Sequence, residues 1–506
     1  MKTGHMLTAA GALCALAFAT PLCAQASSSE PVSEAELRET ISVLASDEYG
    51  GRKPGTGGET QTLAYIAHAF HDAGLGGGAK DASRWYQPVD LERAVPSPGS
   101  FVVMANGVPV TLASDEVVVT AEAANSSLAA LPIVFSGYGV DGEGQAIGEV
   151  AGALAVMMGS EPPYEPGSAE LKNYNRRMAA LFDAGAKAVL VVLDSETPFA
   201  MVKSYLARGT TRLAGATKRP DRVRASASEA YAAQLFAAAD RDYAALSAAA
   251  KADDFGGTPL GVTADLATAN RTEAFRSYNV IAKLGGTDPA AGAVFFTGHW
   301  DHLGTCLPEG AEDRICNGAV DNASGIAVLI ATAKRLATMG PFDRDIYFVA
   351  TTAEEMGLLG GYALAEDPPV PLSDIVIALN VDTVAIADRG AKVAIIGRGK
   401  TDLEDEVEHV ARSIGRTVDE SDEANAFIQR QDGWTLLQKG VPALMVGGSF
   451  SEQALHGKFL AGPYHKHDDE LTDAVPLGGA AEDADLHVAL GAYFADSDRY
   501  PGKGRE

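Results

Sequence analysis

The sequence predicts an α/β protein with a mixed, largely parallel central sheet flanked by helices, into which a smaller β-rich domain is inserted. Three observations lead there. From Tyr278 onward, short apolar runs of strand length alternate with helical periods, which is the pattern of βαβ organisation. Between about Val95 and Gly261 the texture changes to strand-rich sequence without clustered polar residues. In the second half, polar clusters stand directly after or beside the apolar runs, and an open α/β sheet gathers its ligands beyond the carboxyl ends of its strands.

At 506 residues the chain is long enough for two or more domains, each with its own core. A hydrophobic content of 46% with 21% charged residues is that of a globular protein. The net charge of -27 argues against nucleic acid or an anionic membrane surface as partner, because both repel an acidic protein. Residues 1–26 read as a signal peptide: Lys2, a short apolar stretch from Leu7 to Ala19, and Ala24-Gln25-Ala26 as a cleavage site. That stretch is too short for a comfortable membrane span. The expectation is an exported protein, periplasmic or secreted, with no stable membrane insertion after signal removal. Cys306 and Cys316 then remain, and in an exported protein such a pair is expected as a disulfide contributing about 2–3 kcal/mol. Two thiolate metal ligands are the competing use of the pair, set against the harder ligands nearby.

Taken in order, Leu37, Ile41 and Leu44 mark one face of a helix with Ser33 as its cap. The glycine-rich stretch 50–58 breaks that helix. With no Gly-Lys-Ser/Thr after it, it reads as a turn and not as a phosphate cradle. A second helix is expected from Glu59 to about Ala73, its His68 and His71 on the surface or in packing. Residues 96–262 are read as the insertion, separating a first catalytic part (27–95) from the main one (263–506). Within it, 101–110 reads as a hairpin around Asn106-Gly107, 131–135, 153–158 and 188–193 as strands, and 176–184 as a helix ended by Gly185. Residues 228–250 are one or two Ala-rich helices capped by Ser228. Strands follow at 278–282, 293–296, 346–350, 375–381 and 442–446, with a helix from Ser324.

The polar clusters are Gly298-His299-Trp300-Asp301-His302, Asp321-Asn322-Ala323-Ser324-Gly325, Ala353-Glu354-Glu355, Asp382, and Tyr464-His465-Lys466-His467-Asp468-Asp469-Glu470. A histidine and several carboxylates converging in a crevice suit metal better than bare charges. His299 offers a ring nitrogen, and Asp301, two residues on, can orient that ring. Asp321 has an oxygen for each of two ions. Glu354 and Glu355 point to opposite sides of an extended chain, so one can ligate while the other faces substrate and water. Asp382 supplies a further oxygen, and His465 and His467 compete to supply the last ligand. Trp300 reads as packing, and His302 as a structural neighbour of the ligands. His409, His456 and His487 receive no role. No Gly-x-Ser-x-Gly elbow or His-Glu-x-x-His helix is present in a fitting context.

These motifs, occurring in this order, resemble the co-catalytic zinc aminopeptidases, the family that also holds glutamate carboxypeptidase and glutaminyl cyclase. The likeness extends to 44–47 and Gly51-Arg52. The insertion resembles a protease-associated domain, notably at Gly137-Tyr138-Gly139 and 184–188. The resemblance implies the zinc exopeptidase fold and two Zn2+ held by His299, Asp321, Glu355, Asp382 and His465, with Asp321 bridging. It makes Glu354 the general base, Asp301 the residue orienting His299 and Tyr464 the oxyanion stabiliser, and it aligns Asp469 with a family carboxylate. Three departures stand out: Val320 where an aspartate is frequent, His467 where proline is common, and Gln431-Asp432-Gly433 in a segment that often reads Ser-Asp-His. Arg430 and Asp432 are candidates for the pocket wall. The implied activity is an exported metallopeptidase removing N-terminal residues from peptides. The alternatives are a dipeptidase or carboxypeptidase on the same two-metal site, or a metal-free binding protein on this scaffold, which loss of ligands would mark.

Overall fold

The computed structural model describes Met1 and residues 30–502, apart from 81–83, 195–196, 216–221, 253 and 308, so the signal-peptide reading of 1–26 lies outside the described residues. The larger sheet is built on β1 (Tyr86–Pro96), β2 (Thr258–Leu284), β3 (Ala293–His299), β4 (Asp345–Thr351), β5 (Ile375–Asn380), β6 (Ala394–Ile396) and β7 (Ala443–Gly447). Their spatial order is β6-β7-β5-β3-β4-β2-β1. β7, β5, β3 and β4 run parallel, and β6 and β2 pair antiparallel at the two sides. This is the mixed, largely parallel sheet expected.

All seven residues of β3 and of β4 are buried, as in strands covered by helices on both faces. Alternate residues feed alternate cores. Val294 and Phe296 pack with α3 (Ser324–Met339), α1 (Glu34–Leu44) and α6 (Gly478–Ala495), while Ala293 and Phe295 pack with α4 (Leu359–Glu366) and α5 (Gly433–Leu437). Cross-strand rings lock the register: Phe296 stacks on Phe348 at 5.1 Å and Phe295 on Tyr347 at 4.8 Å.

A second sheet takes in strands Ser100–Ala105, Val117–Thr120, Asn125–Phe135, Leu154–Met158, Ala188–Leu193 and Val223–Ser228, together with the first half of β2. It encloses apolar cores of its own. The hairpin turns at Asn106 and Gly107, both at positive φ (51° and 77°). β2 joins the two sheets: it pairs with the smaller one through residue 269 and with β1 and β4 from 270 to 284.

Other elements refine the expectation. The helix α2 spans Gly57–Asp72, and the short 3-10 turn that begins at Asp47 is broken by left-handed backbone at Gly50 and Gly51. Residues 228–250 form two helices, Glu229–Ala237 and Tyr243–Ala249, with Ser228 Oγ accepting from the Tyr231 amide at 3.1 Å. β1 was hidden by its two prolines and by Asp90, Glu92 and Arg93. Those charges are satisfied by pairing across to Arg276, Arg212 and Glu273 at 2.6, 3.0 and 2.6 Å. Among the described residues no helix is long and apolar enough to cross a membrane.

His487 of α6 is fully buried beside Phe296, its Nδ1–H donating to the Asp483 carbonyl at 2.7 Å. Burial holds its pKa down to about 4, so it is neutral in the fold and must charge as the chain unfolds in acid. Its contribution is therefore present above about pH 6.5 and lost as pH falls toward 4, worth on the order of 3 kcal/mol. Asp483, raised to about 6 by burial, titrates with the opposite sign in the same range, so the informative comparison is parent against variant. His487→Phe should flatten the fall of the thermal midpoint between pH 6.5 and 4, as read by calorimetry.

Candidate metal centre

The centre is set by register. His299 is paired level with Thr351 and Thr297 with Asn380, so the chain leaves β3, β4 and β5 at one edge. The residues that follow (Asp301 and His302, Glu354 and Glu355, Asp382) enter the same crevice. Asn322, joined to Asp321 by a cis peptide, ties the edge together. Its side-chain amide donates to the carbonyls of His299 (3.3 Å) and Val381 (3.1 Å), and its Oδ1 accepts from the amides of Gly325 (2.9 Å) and Thr383 (3.2 Å). A Cβ at position 325 would lie 2.2 Å from Asn322 Oδ1, so only glycine allows this approach. Asp469 fixes the other side of the loop by accepting from the amides of Val320 (2.9 Å) and Asp321 (3.0 Å).

Asp321 lies between two groups of donors. Its Oδ1 is 3.2 Å from His299 Nε2, which is also 3.4 Å from Asp382 Oδ1 and 4.0 Å from Glu354 Oε2. Its Oδ2 is 3.3 Å from His465 Nε2, which is 2.8 Å from Glu355 Oε2. Among the described residues, donor sets fit for one ion occur at His299, Asp321 and Asp382 and at His302, Asp321 and Glu355. For the second set the contacts favour His465 over His302. His302 Nδ1 is engaged with Glu355 Oε1 at 2.5 Å, whereas His465 Nε2 meets the oxygens of both Glu355 and Asp321. His302 thus braces Glu355. His467 pairs with Asp468 at 3.2 Å.

The His299 ring is held from behind through Nδ1–H, which donates to the Asp301 carbonyl at 3.0 Å. The Asp301 carboxylate is 3.9 Å from that nitrogen and accepts instead from the Glu354 amide at 3.0 Å. Electrostatics mark the crevice as cation-seeking. Burial disfavours a charged His299, yet Asp382, Glu354 and Asp321 raise it well above the ordinary value. His465, opposed by burial, is pushed up to about 10 by Asp321 and Glu355. Burial also raises Asp301 to about 8 and lifts Glu354 well above the usual carboxylate range, with Asp382 and Glu355 adding to it against the pull of His299. Asp301 Oδ2 and His302 Nε2 are buried without a hydrogen-bond partner among the described residues. Nitrogen and oxygen donors in two groups sharing one carboxylate fit a pair of divalent ions such as zinc.

The crevice opens into a cleft with Phe427, Arg430, Met445, Phe450, His456, Leu460 and Tyr464 in its lining. The Tyr464 ring stacks on His465 with centroids 3.8 Å apart, and its hydroxyl accepts from Arg430 Nη2 at 3.1 Å. Burial raises its pKa, so the phenol keeps its proton. His456 sits between the rings of Phe427 and Phe450 at 4.6 and 4.5 Å and is held neutral, down to about 4, by burial. Asp432 lies behind the wall, accepting from the Thr351 hydroxyl. Sequence reasoning brought Arg430 to this wall but missed Phe427, Phe450 and His456, which come from three separate segments with no shared local pattern. Asn322 stood inside a noted motif without a role, and the motif was its only signal. Cys306 and Cys316 form a disulfide, which removes them as thiolate ligands, and Cys316 Sγ lies 3.9 Å from the His465 carbonyl.

Residues 279–484 match the sequence profile of Peptidase family M28. Among solved structures, the chain is similar to an aminopeptidase from Aneurinibacillus sp. strain AM-1, with 18% identity and a TM-score of 0.57 over 92% of this chain and 94% of that one. It is also similar to BSAP, a zinc aminopeptidase from Bacillus subtilis, with 17% identity and a TM-score of 0.51 over 93% and 97%. At these identities the likeness shows the fold. By sequence the chain is similar to the probable lipoprotein aminopeptidase LpqL of Mycobacterium tuberculosis, 26% identical over 254 residues, or 44% of this chain and 47% of that protein. A vacuolar membrane protease of Lachancea thermotolerans is 32% identical over 112 residues, covering 22% of this chain and 10% of its own length. The chain thus spans less than half the length of these relatives. The stretch that carries the crevice, residues 279–484, is a domain of Peptidase family M28.

Proposed function

We propose that this chain is an exported two-zinc aminopeptidase that hydrolyses the N-terminal residue from peptides. The observation that carries the reading is Asp321, whose two carboxylate oxygens each face a separate nitrogen-and-oxygen donor set. His299 and Asp382 complete the first set, and His465 and Glu355 the second. Zinc held there would supply Lewis acidity for the scissile carbonyl and lower the pKa of an attacking water. The names of similar proteins, among them a zinc aminopeptidase and a probable lipoprotein aminopeptidase, support this reaction class.

This chain's own residues then divide the work. Glu354, near His299 and raised well above the ordinary carboxylate range, takes the proton of the water and passes it to the departing amine. Asp301 places both partners, holding the His299 ring through its carbonyl and the Glu354 amide through its carboxylate. The Tyr464 hydroxyl accepts from Arg430, which leaves its own hydrogen to donate to the tetrahedral oxyanion. Residues 96–262 act as a protease-associated accessory domain shaping access to the cleft, inserted between the catalytic parts 27–95 and 263–506. The N-terminal 26 residues direct export.

Stripping divalent ions with a chelator should abolish hydrolysis of free-amine peptides, and added zinc should restore it. Amino-terminally blocked peptides should remain uncut throughout. Cleavage of blocked peptides from the carboxyl end, or of dipeptides alone, would point to the carboxypeptidase or dipeptidase reading. Glu354→Gln should keep its zinc, measured by atomic absorption, while kcat falls by about 10²–10⁴. Full turnover in a metallated variant would remove Glu354 from its role. Tyr464→Phe should lower kcat by roughly 10²–10³ with little change in zinc content.

A further inference from the structure

Arg52 is fully buried and has no ion-pair partner within 4 Å among the described residues, and its guanidinium is spent entirely on backbone carbonyls. Nε donates to Trp300 O at 2.8 Å, Nη1 to Leu44 O at 2.7 Å and Asn317 O at 2.6 Å, and Nη2 to Gly318 O at 2.9 Å. These acceptors belong to three segments: the end of α1, the residue between His299 and Asp301, and the two residues that open the loop to Asp321. Gly50, Gly51 and Arg52 itself all adopt positive φ (56°, 65° and 50°), and a Cβ on Gly51 would lie 2.4 Å from Cys316 O. A left-handed arginine costs roughly 1–2 kcal/mol, so the fold accepts strain to deliver this side chain to this place.

We propose that Arg52 is a positioning residue for the metal cage, its planar fork setting the distance between the His299–Asp301 side and the Asp321 side. This rests on the two-zinc reading and deepens it. Charge and geometry make opposite demands here. Asp469, Asp321, Asp301 and Glu355 surround Arg52 closely enough to stabilise its charge, so as a plain cation it would repel an incoming metal ion. Removing it would then tighten zinc binding. As a spacer, its removal frees two donor groups to drift apart and weakens binding. Outer groups that orient metal ligands are typically worth 10–100-fold in affinity. Lysine keeps the charge but offers a point donor in place of the fork, so it cannot span three segments.

The test is zinc titration of chelator-stripped protein, read by competition with a chromophoric chelator, for the parent, Arg52→Met and Arg52→Lys. Circular dichroism and thermal melting report folding. Both variants should bind zinc 10–100-fold more weakly, with kcat reduced at saturating zinc and KM for peptide unchanged, because Arg52 does not line the cleft. A fold-only role would lower the melting temperature and leave zinc affinity where it was. Tighter binding by Arg52→Met, or parental affinity in Arg52→Lys, would overturn the proposal. If Arg52→Met does not fold, Arg52→Lys alone decides. A parent that binds no zinc would sink the two-zinc reading itself.

Discussion

Mutual repulsion among buried carboxylates is the constraint around which this molecule is arranged. Asp301, Asp321, Asp432 and Asp469 are almost wholly removed from water, and the side chains of Glu354, Glu355 and Asp382 are only 12%, 4% and 9% exposed. A buried charge without a partner costs several kcal/mol. The fold answers acid by acid: backbone amides serve Asp301 and Asp469, the Thr351 hydroxyl serves Asp432, and histidines serve Asp321, Glu355 and Asp382. What these partners leave is a crowded set of buried acids that favours positive charge nearby, which is why the histidines among them are held toward their charged form and Asp301 and Glu354 toward their neutral one.

The central sheet and the polar clusters that meet in the crevice were legible in the sequence because both have local causes. Strands buried on two faces read as unbroken apolar runs, and ligands placed at strand ends must follow those runs directly. His299, Asp321, Glu355 and Asp382 could each be read that way. His465 and His467 could be separated only by the family resemblance, since alternate residues in a turn have no fixed facing until the backbone is known. Nor could the bond from Asp301: its carbonyl, and not its carboxylate, meets the His299 ring. Arg52 was read as part of a turn because glycines before an arginine announce a bend and say nothing of where the side chain goes.

The cage and the cleft beside it differ in origin. The cage sits on strand ends whose register is fixed by stacked rings and by Asn322, so its spacing belongs to the core. The cleft is assembled from Phe427, Phe450 and His456, each on a connecting segment or a short helix. Arg430 leans on the rings of Phe427 and Tyr464 at 5.6 and 5.8 Å. Such walls can change shape without disturbing the residues at the strand ends.

β2 has a consequence for how the chain can tolerate change. Its residues alternate between faces, and it serves one sheet with its first half and the other with its second. From 270 to 280 its pairing with β1 holds a single register with no bulge to absorb an error. Gaining or losing one residue there would throw the two sheets out of phase, moving Val280 and Ala282 from one core to the core on the opposite face, or inverting the smaller sheet's inner face. Length variation is thus confined to loops, while this strand acts as a shared ruler whose graduations must be read alike at both ends.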